Sequence, residues 1–499
     1  MTMMTSKLAG VPFGRPDRFF IGGEWVLPSS DAHIDVIAPA TEELYVRVAE
    51  AQEADMNRAV AAARKAFDCG PWPRMSHSER AGYLRAMGKK LSERADDVGQ
   101  VWPNEMGVLH SIARAVAGSV GGVYEYYAGL ADTFQFEERH HPADGGAIGL
   151  LVREPVGVVA AIIPWNAPII TIAYKIAPAL LAGCSVVLKA SPEAPGTAYI
   201  MAEIAESVGL PAGVLNVVTA DRAVSELLVR NPDVDKVSFT GSTAAGRRIG
   251  SICGERIARC TLELGGKSAA VILDDYDIET AAQAIVGPAC FLSGQVCASL
   301  TRIVVSRKRH DQLVDALSAN FSAIRVGDPF DPQTQLGPIA MRRQRDRIEQ
   351  LIAKGKEEGA TLACGGGRPV HLDRGFFIEP TVFGNVDNHS TIAREEFFGP
   401  VLSVIPADDE AHAIEIANDT IYGLNNSVFT NDADRAYAVA RQLRSGMVGH
   451  NVFRADLSIA FGGFKQSGIG REGGTEGLLP YLEAKTVILE ALPKRMHGA

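Results

Sequence analysis

Between residues 156 and 240 the chain alternates short β-branched runs with helical stretches, an order few folds accommodate. VGVVAAII (156–163), CSVVLK (184–189), GVLNVV (213–218) and DKVSFT (235–240) read as strands. TIAYKIAPALLAG and TAYIMAEIAESVG lie between them, each ending on glycine, the residue preferred just past a helix C-terminus. Strand, helix and strand in repetition imply parallel strands joined by right-handed crossovers, a doubly wound sheet. Ligands in such sheets lie at the carboxyl ends of the strands. The stretch from Val156 to Leu188 also imitates a membrane span. It carries Asn166, Tyr174 and Lys175, however, and is broken by Pro164, Pro168 and Pro178. A spanning helix needs ~20 apolar residues, so a buried strand, turn, helix and strand is the better reading.

Upstream, Met56, Val60, Ala63 and Phe67 mark one apolar helix face, with Arg58 and Arg64 off it. A second alternating block begins after Lys267, with AAVIL, TRIVVS, a helix over 310–324 and VLSVIP. A change of unit therefore falls near Glu263–Lys267. The net charge of −10 disfavours wholesale binding to a nucleic acid. The first residues, MTMMTSKLAG, lack the apolar run of an export signal, so a cytoplasmic protein without a membrane anchor is expected. The 7 cysteines show no paired spacing, as in thiols kept reduced. Among the 11 histidines only His140-His141 is a metal-type pairing, and no metal is expected.

Three motifs bear on chemistry. The strand ending at Phe239 runs into Thr240-Gly241-Ser242-Thr243 and a helix, where free N–H groups and the helix dipole favour an anion. A tight βα turn holding nothing is the bland alternative. Gly468-Ile469-Gly470-Arg471-Glu472-Gly473 matches the dinucleotide fingerprint, but no strand precedes it, so it is a decoy. Cys184, Cys253 and Cys260 are explained by core packing, which leaves Cys290 and Cys297 in GPACFLSGQVCAS. Small neighbours, Ala298 and Ser299, favour an accessible sulfur at Cys297. A base partner could be Glu263 in LELGGK, where half-enclosure by leucines raises a carboxyl toward working pH. A structural cysteine, and a Glu263 merely paired with Lys267, remain the plainer readings of each residue alone.

In combination, Pro164-Trp165-Asn166, Lys189, the 239–242 turn, ELGGK (263–267), GQVC (294–297), EFFGP (396–400 as Glu396-Phe397-Phe398-Gly399-Pro400), NDTIYG (418–423) and FGGFKQSG (461–468) resemble the NAD(P)-dependent aldehyde dehydrogenase superfamily. The resemblance spans about Phe20 to Leu489. It implies an α/β fold with a Rossmann-like doubly wound cofactor domain (1–137 and 157–266). A second α/β catalytic domain (267–479) and a small β oligomerisation element (138–156 and 480–499) complete it.

By that resemblance Cys297 is the nucleophile that forms a thiohemiacetal, and Asn166 with the Cys297 N–H stabilises its oxyanion. Hydride transfer to the nicotinamide leaves a thioester, which water activated by Glu263 hydrolyses. Ile163, Pro164 and Trp165 line the nicotinamide end. Lys189 reaches the adenosine ribose, Gly241, Ser242 and Leu264 serve the phosphate turn, and Glu396 with Phe398 holds the nicotinamide ribose. Many NAD-preferring relatives carry a Glu three residues after the Lys; here that position is Pro192 and the acid is Glu193. NAD is favoured with NADP not excluded. A second departure is Ala220-Asp221-Arg222, where a Gly is frequent near the adenine. Ala167, Thr171, Tyr174, Phe291, Ala455 and Phe461 match tunnel positions, implying a roomy apolar tunnel for a medium or large aliphatic, aromatic or terpenoid-like aldehyde. Arg454 near the mouth would instead select a carboxylated semialdehyde. A CoA-acylating enzyme and a non-catalytic structural or binding descendant are the further alternatives; the retained Glu263 and Cys297 argue against them. The hairpin near 138–156 and the strand near 482–493 imply a homo-oligomer, a dimer or tetramer.

Overall fold

A computed structural model of the chain describes residues 10–493; the expected oligomerisation segment therefore extends, at 494–499, outside the described residues. Five parallel strands form the centre of the first sheet, in the spatial order Arg259–Glu263, Lys236–Thr240, Val158–Ile162, Ser185–Ala190, Leu215–Thr219. The third, fourth and fifth of these begin a doubly wound topology. The chain steps from 158 to 185 to 215 in one direction, then returns to lay 236 and 259 on the other side. The switch point thus falls between Val158–Ile162 and Lys236–Thr240. Short antiparallel strands close both edges: Phe19–Ile21 with Glu24–Val26, and Gly468–Ile469 beside Glu263.

The central strands are buried along their whole length, which is why they read as continuous apolar runs rather than alternating ones. Pro168 starts the helix Pro168–Ala182, where its missing N–H costs no hydrogen bond, and Gly183 ends it at φ 101°. The next helix, Gly196–Ser207, ends at Val208, with Gly209 taking the positive φ one residue on. The early amphipathic face forms Glu53–Cys69, burying Met56, Val60 and Ala63.

The second sheet runs Thr361–Cys364, Thr381–Gly384, Val401–Ala407, Leu300–Ser306, Ser268–Ile272, Asn425–Phe429, Met447–His450, and is parallel except at its first pair. The helix expected over 310–324 spans His310–Ser322. A third sheet joins Glu137–His140, Ile148–Pro155 and Leu482–Leu489, all antiparallel. The segment Leu264-Gly265-Gly266-Lys267 alone separates the last parallel strand of the first sheet from the first strand of the second. No helix among the described residues is long and apolar enough to cross a membrane.

Candidate active site

The switch point decides which loops meet. Residues leaving Val158–Ile162 are Ile163-Pro164-Trp165-Asn166, and those leaving Lys236–Thr240 are Gly241-Ser242. Two loops that end neighbouring strands and diverge to opposite faces open a crevice between them. Ser242 caps the helix Thr243–Arg256 by accepting from the Ala245 N–H at 3.3 Å. Gly241 donates its N–H to the Glu263 carbonyl at 3.0 Å, and a Cβ there would lie 2.5 Å from the Phe239 ring. Leu264 packs where a Cβ on Gly246 would stand, 2.5 Å away. Trp165 meets Phe398 edge-on at 5.3 Å. Phe398 itself holds φ 54°, an uncommon conformation for a bulky side chain and one that clusters at functional sites.

The two glycines of ELGGK bring the remaining groups together. A Cβ on Gly265 would lie 2.6 Å from Glu396 Oε2, and one on Gly266 would lie 2.3 Å from the Cys297 carbonyl oxygen. The Gly266 N–H donates to Glu396 Oε1 at 3.1 Å. Burial pushes the Glu396 carboxyl up to about 7, against that hydrogen bond and the nearby Lys267.

Glu263 ends its strand 2% exposed, and neither carboxylate oxygen has a hydrogen-bond partner in the protein. Burial, then the Glu472 carboxylate, raises it well above the ordinary glutamate range; Lys175 and Arg471 oppose. Lys175, fully buried, donates to Glu472 Oε1 and, at 3.2 Å, to Ser238 Oγ. The plainer reading of a Glu263–Lys267 pair does not hold. The Lys267 Nζ lies 4.6 Å over the Phe397 ring with no hydrogen-bond partner. Burial and the Arg302 cation bring its amine down to about 7.

Cys297 follows a strained turn. Leu292 and Ser293 hold φ 49° and 56°, costing ~1–3 kcal/mol each. Ser293 Oγ donates to the Gly337 carbonyl at 3.0 Å, and the buried Gln295 accepts from the Ala340 N–H at 2.9 Å. These bonds fix the turn from the second sheet's side. Cys297 is only partly exposed, so the accessible sulfur expected from small neighbours is realised only in part. Burial, then Glu396 and Glu263, push its thiol well up, so the resting group is a thiol. By contrast a hydrogen bond from Cys253 draws Cys260 down, and acidity alone would have selected the wrong cysteine. Asn166 Nδ2 donates to the Gln295 carbonyl at 2.8 Å, two residues from the sulfur, and its own carbonyl accepts from Trp102 Nε1 at 3.1 Å.

Lys189 is the penultimate residue of the strand Ser185–Ala190 next to the switch point, with Nζ 3.4 Å from the Ala220 carbonyl. Burial lowers its amine to about 8, against Glu193 and Asp221. Pro192 and Glu193 follow in the loop, half-buried.

Ala167, Tyr174 and Phe291 border one hydrophobic cluster with Trp165. Thr171 turns its hydroxyl back onto the Ala167 carbonyl at 3.0 Å, leaving a methyl for packing. Burial and then the Asp456 carboxylate raise the Tyr174 phenol to about 12. Phe461 is held by a two-bond bridge to Glu472 (2.6 and 2.8 Å), Ala455 is half-buried in the loop before it, and Arg454 is exposed.

Lys175, Glu472, Gln295 and Trp102 escaped the sequence reading. Two carried a signal: Lys175 is the lone cation in the apolar 156–188 run, and Glu472 lies inside the false dinucleotide fingerprint. That fingerprint forms the edge strand Gly468–Ile469 and a loop, followed among the described residues by the single 3-10 turns Thr475–Gly477 and Leu479–Tyr481 and by no α-helix.

The aldehyde dehydrogenase family model matches residues 25–487. Geranial dehydrogenase of Castellaniella defragrans is 43% identical over 94% of this chain and 98% of that protein. The 3-succinoylsemialdehyde-pyridine dehydrogenase of a Pseudomonas species is 42% identical over 94% of this chain and 98% of its own length. Among solved structures, an aldehyde dehydrogenase of Mycobacterium tuberculosis complexed with NAD+ superposes with TM-score 0.92 and 47% identity, covering 95% of this chain and 98% of that one. A mutant of aldehyde dehydrogenase C from Pseudomonas syringae, complexed with NAD+ and octanal, superposes with TM-score 0.92 and 39% identity, over 96% and 98% of the two chains.

Proposed function

This chain belongs to the aldehyde dehydrogenase family, and from that premise we propose that it oxidises a medium-sized or large apolar or aromatic aldehyde to the free acid with NAD. One observation carries the reading. The ELGGK turn joins the two sheets and brings Cys297, Glu396 and Glu263 to one crevice with Asn166.

The residues fit a dinucleotide. The crevice lies at the switch point, Ser242 heads a 14-residue helix, and Gly265 leaves the Glu396 carboxylate an approach that a Cβ would close. Lys189 and Glu193 would hold the adenosine ribose, Gly241, Ser242 and Leu264 the phosphates, and Glu396, Phe398 and Ile163-Pro164-Trp165 the nicotinamide end. NAD, when bound, supplies the acceptor for the two electrons taken from the substrate.

Cys297 must lose its proton before it attacks. Glu263, unpartnered and with a raised proton affinity, suits the task of taking it. Sulfur then bonds to the carbonyl carbon, and the oxygen takes the π electron pair. One Asn166 amide hydrogen is spent on Gln295, which orients the group, and the second is left for that oxyanion. After oxidation the acyl group remains on sulfur as a thioester. Glu263 first passes the proton taken from Cys297 on to solvent; water then adds to the thioester while the freed carboxylate takes one of its protons, and the C–S bond breaks to release the acid and the Cys297 thiolate. A general base kept at Glu263 supports hydrolysis over transfer to CoA.

The half-buried aromatic wall of Tyr174 and Phe291 supports an apolar substrate, as do relatives named for geranial and crystallised with octanal. Seven free cysteines support a reducing cytoplasm. The free outer edge of Leu482–Leu489 in its three-stranded sheet supports a homo-oligomer, dimer or tetramer. An aldehyde panel followed at 340 nm with NAD, with product identified as acid or acyl-CoA, tests the reading. Loss of turnover in Cys297→Ala is expected; full retention would overturn the thioester route, and a preference for succinate semialdehyde would overturn the apolar tunnel.

A further inference from the structure

The helix Thr243–Arg256 and the strand Arg259–Glu263 are joined by only two residues, Ile257 and Ala258. Ile257 holds φ 56°, and the Ala258 N–H donates back to the Cys253 carbonyl at 2.9 Å. That reversal lays the strand against the last turns of the helix. Cys260 thereby meets Cys253, whose thiol donates a hydrogen bond to the Cys260 sulfur. Both belong to one hydrophobic cluster, Cys253 inside it and Cys260 at its edge. Cys253 is 1% exposed, whereas Cys260 is half-buried. The strand's outer neighbour, Gly468–Ile469, pairs with Leu262 and Glu263 and stops short of Cys260, leaving that edge open.

A buried cation lies close by. Lys236, on the neighbouring strand, is 1% exposed and donates to Thr261 Oγ1 at 2.7 Å, with no carboxylate in ion-pair contact among the described residues. Of the charges around it, the Cys260 sulfur acts on it most strongly. An ammonium taken out of water favours an anion nearby. The Cys253 hydrogen bond and then the Lys236 cation hold the Cys260 thiol below the ordinary cysteine range, against burial.

We infer that Cys253 and Cys260 form a dithiol modification site, outside the crevice, which a peroxide oxidises to a disulfide within the chain while Cys297 stays reduced. The Cys260 thiolate attacks one peroxide oxygen, the O–O bond breaks, and hydroxide leaves and takes up a proton as water. Sulfur has then lost two electrons and carries a hydroxyl as a sulfenic acid. The Cys253 sulfur attacks it, and the displaced hydroxide leaves with the Cys253 proton as a second water. Two thiols and one hydrogen peroxide thus give one disulfide and two waters. Cys297 lags because the thiolate is the nucleophile and its own thiol is pushed up.

Peptide mapping of the full-length protein after hydrogen peroxide, quenching with N-ethylmaleimide and trypsin without reduction tests this. Cleavage after Arg248, Arg256, Arg259 and Lys267 puts the two cysteines on separate peptides, 249–256 and 260–267. The two peptides should appear joined, two of the 7 thiols should vanish from an Ellman titration in denaturant, and dithiothreitol should restore both. Alkylatable Cys297 should decline at least about tenfold more slowly. In Cys253→Ala, dimedone should trap a sulfenic acid at Cys260. The wild-type map reads the linkage whether or not that variant folds. Absence of the joined peptides, a disulfide between two chains, or loss of Cys297 ahead of Cys260 would overturn the inference.

Discussion

At the scale of single residues, the site is built from groups that burial holds in the wrong charge state for solution. Glu263→Gln keeps the shape and removes the base. Acylation and hydrolysis both lose their base, so stopped-flow traces should show the first turnover of reduced coenzyme slowed along with the steady rate, by about 10²–10⁴-fold; an unchanged steady rate would refute the role. Asn166→Ala removes an oxyanion donor and should lower kcat by about 10²–10³. Circular dichroism should stay near wild type, since the lost bond to Gln295 is local. Lys267 gives a pH signature in stability. Its amine titrates at about 7 when folded against 10.5 for the ordinary value, so the unfolded chain binds more protons between those limits. Stability therefore carries the full cost below pH 7, and rises with pH from about 7 toward 10.5. Lys267→Met should flatten that rise in Tm measured between pH 7 and 9.5 and stabilise the protein at its lower end; a slope equal to wild type would contradict the buried-amine account.

At the scale of elements, glycine placement rather than glycine abundance shapes the site. Gly266 has no left-handed φ, and what it supplies is the missing Cβ, because Cys297's carbonyl stands 2.3 Å from where that atom would be. Gly266→Ala should displace the Cys297 turn and abolish turnover, while the first sheet keeps its far-UV signal. The Ser242 cap is a smaller contribution: Ser242→Ala should cost about 1 kcal/mol through the Thr243–Arg256 helix, visible as a Tm drop of a few degrees. Strands and helices around the switch point were legible because they are long, buried and strictly patterned. Their ends were less so, as with the 310–324 helix, which stops at Ser322 where Ala323 caps it. Glu472 was legible as a residue but not as a partner of Lys175, since nearly 300 positions separate them and no local pattern links the two.

At the scale of the whole molecule, the C-terminal strand Leu482–Leu489 returns across the entire chain to pair with Ile148–Pro155 along eight residue pairs. Tyr481, just before it, sends its hydroxyl to Ser238 Oγ at 3.2 Å beneath the first sheet. The strand is thus tied to the polar cluster under Glu263 as well as to the outer sheet. Removing residues from 482 onward should expose the edge of Ile148–Pro155 and produce an assembly different from wild type in light scattering, or aggregation. A truncated chain with unchanged mass and activity would show the strand to be dispensable.

The order of strands, helices and short motifs was fixed by local chemistry. β-Branched runs, terminal glycines and the Cys, Glu and Asn motifs are one-dimensional signals, and they sufficed for the sheet class, the bet on Cys297 and Glu263, and the family resemblance. Only the tertiary structure decided how those groups are charged and paired. Burial depends on what packs from remote segments: it makes Cys297 a resting thiol, leaves Lys267 without the Glu263 partner that its spacing suggested, and joins Glu193 to Arg343 across the cleft. Proton affinity and ion pairing are set by distances through space in a low-dielectric interior, and separation along the chain does not carry that information.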